Sequence, residues 1–174
     1  MLLVRMAGAL VALLLASGIA TAQGAKPTDP QIAHIAYTAG QIDIQAAEQA
    51  LQKSKNKDVL AFANDMVRDH EAVNDNALAL VKKLNVTPQD NDTSKALAKQ
   101  ATDKRAEFAK LNGAAFDKAY VDNEVAYHKT VNGALQDTLI PSASSPELKD
   151  LLTTGLKIFQ GHQQHAEHVA AALK

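Results

Sequence analysis

The amino-acid sequence predicts an all-α protein: an antiparallel bundle of four long helices with one additional short helix. Three observations point there. Hydrophobic residues make up 47% of the chain but aromatic residues only 4%, a balance rich in Ala and Leu that favours helices over strands. Apolar residues recur at spacings of three and four, and no stretch alternates as a half-buried strand would. Gly and Pro fall largely at the boundaries between these periodic stretches, where turns belong.

The first helix is expected to begin at Thr28-Asp29-Pro30-Gln31, which offers an N-cap and an early proline, and to run to about Lys53. Asn56 then caps a second helix reaching about Leu84. The polar residues 85–92, with Pro88 among them, form the longest internal loop. A shorter helix follows from about Thr93 to Leu111, closed by Asn112-Gly113. It aligns Leu97, Ala101, Phe108 and Leu111 on one side. Another helix spans about Ala114 to Ile140, stopped by Pro141. The last starts at Ser144-Ser145-Pro146-Glu147, where Ser144 and Glu147 have capping-box spacing, and continues to the C-terminus. Brief connections between long amphipathic helices imply antiparallel neighbours.

The first residues read as a secretory signal: Arg5, an apolar run over residues 7–16, and small residues at Ala20-Thr21-Ala22. Cleavage after Ala22 is expected, followed by a short linker at 23–28 and a single domain at 29–174. Removing 22 of 174 residues leaves 152, a length that suits one domain with one core. The apolar run is too short for a membrane helix, which needs about 20 residues, and no other stretch predicts a span. Acidic and basic residues are nearly balanced, at 19 and 18, and interspersed, so nucleic acid is not an expected partner. The chain has no cysteine and cannot use disulfides or an N-terminal lipidated cysteine. A periplasmic or secreted bacterial protein is the expectation.

At 100° per residue, each long helix places ionisable groups within its apolar face. The first helix carries Asp43 among Ile32, Ile35, Ala36, Ala39, Ile42, Ala46 and Ala50, while His34 projects to the opposite, solvated side. The second carries His70, with Asn74 close by, among Val59, Ala63, Met66, Val67, Ala77, Val81 and Leu84; Phe62 and Val73 flank it, and Asp69 lies at the margin. The fourth aligns Asp117, Glu124 and His128 with Phe116, Tyr120, Tyr127, Val131 and Leu135. Glu124 and His128 are one helical pair. The last carries His162 among Leu148, Leu151, Leu152, Gly155, Phe159, Ala166, Val169 and Leu173. His165 falls at the edge and His168 points away.

Axial level agrees with angular position. Asp43 lies 12 residues before a turn near Lys55 and His70 lies 15 after it, a mismatch of about 4.5 Å at the helical rise. His128 and Glu124 lie 15 and 19 residues before a turn near Ala143, and His162 lies 19 after it. Asp43, His70, Glu124, His128 and His162 are therefore expected to meet at mid-bundle. An unpaired charge in a dry core costs several kcal/mol, so these groups need one another or a metal.

Three stretches carry a family resemblance: Phe62-Ala63-Asn64-Asp65-Met66-Val67-Arg68-Asp69-His70; Gly113-Ala114-Ala115-Phe116-Asp117-Lys118-Ala119-Tyr120 leading to His128; and His162 four residues before Ala166. Over nearly the whole mature chain the sequence resembles the domain of unknown function 4142 family of bacterial exported proteins. The resemblance implies a ferritin-like bundle in a periplasmic or outer-membrane-associated setting, and no established reaction. Ferritin-like di-iron sites use two Glu-x-x-His pairs. Here the spacing is Glu124-x-x-x-His128, Val67 stands three before His70, and Phe159 three before His162.

A set richer in imidazole than in carboxylate suits one zinc, copper, nickel or ferrous ion better than a di-iron centre. The leading expectation is a transition-metal site of His70, His128, His162 and a carboxylate from Glu124 or Asp43, serving metal handling or envelope stress protection. Two alternatives remain: a non-catalytic envelope interaction module whose polar core fixes packing, and a redox enzyme with a degenerate di-metal site. Protein partners are open.

Overall fold

The computed structural model describes residues 26–173; the expected signal segment lies outside them. Among the described residues all regular structure is helical: α1 (Asp29–Lys53), α2 (Lys57–Lys83), α3 (Asp92–Ala109), α4 (Gly113–Ala134), a π-helical turn (Leu135–Leu139), a short α5 (Ile140–Ser142) and α6 (Pro146–Ala172). The helices α1 and α2 form one hairpin and α4 and α6 the other. The hairpins pack through α2 against α6 and α1 against α4, and α3 lies across α1 and α4. The protein is an all-α helical bundle of four long helices and one shorter one.

The ends of the helices follow local chemistry. The Thr28 N–H donates to Gln31 Oε1 at 3.0 Å, and the Asn56 carboxamide accepts from the N–H groups of Asp58 and Val59, which satisfies donors a helix start leaves open. Asn85 closes α2 in the left-handed region, at φ 52°. There Val86 N–H bonds the Val81 carbonyl at 2.9 Å and Asn85 N–H the Lys82 carbonyl at 3.2 Å, the two bonds of a Schellman motif.

Three expected boundaries are corrected. The α3 helix ends at Ala109 with Lys110 as its cap, and Asn112-Gly113 opens α4 instead of closing α3. Gly113 takes φ +55° at the first position of the new helix, a conformation glycine adopts without a Cβ penalty. Ser145 rather than Ser144 caps α6, accepting from Leu148 N–H at 3.2 Å. The Ser144 and Ser145 N–H groups both donate to the Asp29 carboxylate, at 2.7 and 2.8 Å, so α1 anchors the start of α6. The fourth helix does not run uninterrupted to Ile140. Proline at 141 has no N–H and its ring opposes the carbonyl four residues earlier; the chain widens into a π turn in which Ile140 N–H reaches the Leu135 carbonyl.

The apolar core is divided into two parts. One cluster gathers Ala46, Ala50, Val59, Phe62, Met66, Phe116, Tyr120 and Val169 among others. The second gathers Ile32, Ile35, Leu135, Leu139, Leu148, Leu152 and Phe159. Each fully buried large side chain in these clusters contributes about 1.5–3 kcal/mol. The ionisable residues occupy the layer between them.

The expected α1 face was too narrow: Ala33, Gly40, Ile44 and Ala47 are buried as well, because α1 packs against α2, α3 and α4 together. His34 is half-buried instead of solvated, with Nδ1 3.5 Å from Thr38 Oγ1. Ala77, Val81 and Leu84 are half-buried; Val81 and Leu84 line a recess beside Ala33 and Leu148.

Candidate metal centre

Small residues position the first carboxylate. Asp43 sits on α1 between Gly40 and Ala46-Ala47, all buried. A Cβ added at Gly40 would stand 2.5 Å from Asn74 Oδ1. Glycine there lets α1 and α2 approach closely one turn from Asp43. His70 comes from α2, Glu124 and His128 from successive turns of α4, and His162 from α6. Their exposures are 2% for Asp43 and His70, 1% for Glu124 and His128 and 5% for His162, so the layer is essentially dry.

The five expected residues are brought together as two overlapping groups. One ligand nitrogen from each of His70, His128 and His162 lies within 4.8 Å of the others. Asp43, Glu124 and His128 form a second set within the same limit, and His128 belongs to both. The imidazole rings face one another with centroids 5.8 Å apart for His70–His128, 5.1 Å for His70–His162 and 5.5 Å for His128–His162. Phe159 stacks on His70 at 4.6 Å with planes 5° apart, which fixes that ring from the lower core.

Each imidazole has a neighbour at one nitrogen. His128 Nδ1 donates to the Glu124 carbonyl at 3.0 Å, and His162 Nε2 to Asp69 Oδ2 at 3.0 Å. His70 Nε2 stands 3.4 Å from Asp43 Oδ2. His128 Nε2, His162 Nδ1 and both nitrogens of His70 are buried without a hydrogen-bond partner. Buried polar atoms are nearly always satisfied; three imidazoles that approach one another from three helices and each carry an unsatisfied nitrogen offer a cation its ligands. Tetrahedral ligands at about 2.0–2.1 Å from an ion sit about 3.4 Å from one another. Closing from 4.8 Å or less takes only small rotations of the rings.

Electrostatics favour the neutral forms that ligate. Burial lowers His70, with the nearby His128 and His162 adding to it. Burial takes His128 down to about 4, and it lowers His162 against the opposing pull of Asp69. Burial likewise pushes the carboxyls up: Glu124 rises to about 7, and Asp43 rises well above its ordinary value, helped by repulsion from Glu124. An oxygen of Asp43 lies within 4.8 Å of one of Glu124, and the Glu124 oxygens are buried without a hydrogen-bond partner. The close approaches of His70 to Asp43 and of His128 Nδ1 to Glu124 Oε2 at 3.6 Å thus involve imidazoles that burial keeps uncharged. A metal ion taking a carboxylate here would displace the carboxyl proton.

Asp69, at the margin of the α2 face, is a functional partner whose role the sequence left open. It supports His162 across the α2–α6 interface, and its carboxylate is held in turn by Arg68, at 2.7 Å from Nε. Arg68 and, more weakly, His162 hold the Asp69 carboxyl below its ordinary value against the effect of burial. Carboxylate backing of an imidazole is the usual way a metal-binding histidine is oriented. The signal in the sequence was its position one residue before His70, which points it 100° further round the helix toward α6. Tyr120 and Tyr127 border the carboxylate set; their phenols are raised by burial, with the nearby carboxyls adding to it. The Tyr120 hydroxyl is buried without a partner. His165 sits half-buried at the margin and His168 is exposed, outside the layer.

A family model described as a domain of unknown function (DUF4142) matches residues 15–169 of the chain. No curated protein and no solved structure matches it.

Proposed function

The chain belongs to this domain-of-unknown-function family, and we propose that it is an exported, ferritin-like bundle that binds one transition-metal ion through His70, His128 and His162. Asp43 or Glu124 supplies a carboxylate. The reading rests on one observation above the rest: three buried imidazoles from α2, α4 and α6 converge with unsatisfied nitrogens while their other nitrogens face a carboxylate or a carbonyl. Imidazole with one carboxylate suits zinc, copper, nickel or ferrous ion.

Bound there, the ion would provide a Lewis-acidic centre in a dry site, fit for holding or sequestering metal in the cell envelope. Asp69, the Glu124 carbonyl and Asp43 keep the rings oriented, and the two apolar clusters above and below keep water out. Elemental analysis of protein purified without chelator or affinity-tag metal tests this. About one equivalent of zinc, copper, nickel or iron is expected. A metal-free protein whose thermal melt ignores all four added ions overturns it.

One observation favours a second reading, in which the polar layer only fixes packing. Burial raises the Asp43 and Glu124 carboxyls and lowers the imidazoles, so the layer can carry little net charge by itself. In that case replacing His70 and Glu124 with apolar residues leaves both folding and phenotype intact.

A further inference from the structure

A second site lies outside the histidine layer, in the cleft that α3 makes with α1 and α4. It holds a cavity of about 140 Å³. Ile42, Leu97 and Phe108 form apolar walls, Asn123 and Tyr127 lie on the α4 side, and Lys104 and Arg105 stand on the α3 side. Lys104 is occupied by Glu107 at 2.6 Å. Arg105 is not: its Nε is buried with no hydrogen-bond partner, and the ion pairs among the described residues leave it without a carboxylate. The Glu48 carboxylate borders a neighbouring open recess that Arg105 also lines, but makes no ion pair with it.

A guanidinium presents a fixed fork of donors that fits a carboxylate in two parallel bonds. Burying its Nε–H without an acceptor is costly, so a site built this way calls for an anion. The walls set the rest of the ligand. An apolar cavity of about 150 Å³ accepts a benzene-sized molecule. We propose that this cleft binds a small monocarboxylate with an apolar body about the size of benzoate, its carboxylate on Arg105 and its body between Ile42, Leu97 and Phe108. The cleft does not depend on metal at the histidines.

The test uses the intact, metal-free chain in the presence of chelator, titrated with benzoate and followed by 1H–15N NMR. Saturable shifts at Leu97, Ala101 and Phe108 are expected, with benzylamine and benzyl alcohol at least tenfold weaker. Leu97→Trp, which fills the cavity, should abolish the response, and Arg105→Gln should weaken it at least tenfold. Shifts that never saturate, or benzylamine binding as well as benzoate, overturn the proposal on the unmodified chain alone. So does undiminished binding by a folded Arg105→Gln protein. Because no metal is present, these outcomes are independent of the histidine site.

Discussion

Replacing Glu124 by Gln should stabilise the metal-free protein at pH 8 relative to pH 5. Burial raises the Glu124 carboxyl from 4.5 to about 7. A group whose folded value lies above its unfolded value contributes stability that is fully present below the unfolded value and is lost as pH rises through the folded one. The shift of about 2.5 units corresponds to about 3 kcal/mol at 1.36 kcal/mol per unit, out of a total of about 5–15 kcal/mol for a domain. Glutamine has no proton to lose, so the variant escapes this decline between pH 4.5 and 7. The histidines impose the opposite slope, but they are present in both proteins and largely cancel in the comparison. Urea unfolding with chelator at pH 5 and pH 8 measures it. The difference between variant and parent should move by about 2.5 kcal/mol in favour of glutamine on going from pH 5 to pH 8. Asp43 and Glu124 titrate as a pair, so part of the change can appear through Asp43. Parallel stability curves across this range would refute the account of a carboxyl buried against its neighbour.

Three further outcomes are expected. Folded values of His70, His128 and His162 lie below the unfolded 6.5, so their contribution is present above pH 6.5 and lost as pH falls toward about 4; His128→Gln should remove about 3 kcal/mol of that acid-side loss, read from melts at pH 4.5 and 7. Gly40→Ala drives a methyl group to 2.5 Å from Asn74 Oδ1 and should destabilise by about 1–3 kcal/mol, measured by urea unfolding, with a weaker zinc site because α1 must move off α2. Asp69→Asn keeps the fold but frees the His162 ring, and should lower zinc affinity about 10- to 100-fold, measured by competition with a chromogenic chelator.

The fold was legible because its determinants are local. Thr28, Asn56 and Pro146 mark helix starts by their own side chains, and the apolar spacings set the faces. The axial arithmetic placed Asp43, His70, Glu124, His128 and His162 in one layer because short hairpins fix the level of both arms. What was not legible depends on tertiary contact. The role of Asp69 needs the azimuth of α6 relative to α2, and the anchoring of Ser144 and Ser145 by Asp29 spans most of the chain. The π turn reflects how the chain accommodates Pro141 while keeping Leu135 and Leu139 buried. The pairing of Asp43 with Glu124 depends on the α1–α4 distance, which no periodicity reports.

The most direct test of a three-histidine centre is X-ray absorption on the zinc-loaded intact chain, beside its His128→Ala variant. One zinc per chain is expected, with about three imidazole nitrogens and a carboxylate oxygen at about 2.0–2.2 Å, and the variant should lose stoichiometric uptake while remaining folded. Zinc bound without imidazole scattering, or equal uptake by the folded His128→Ala protein, would contradict it.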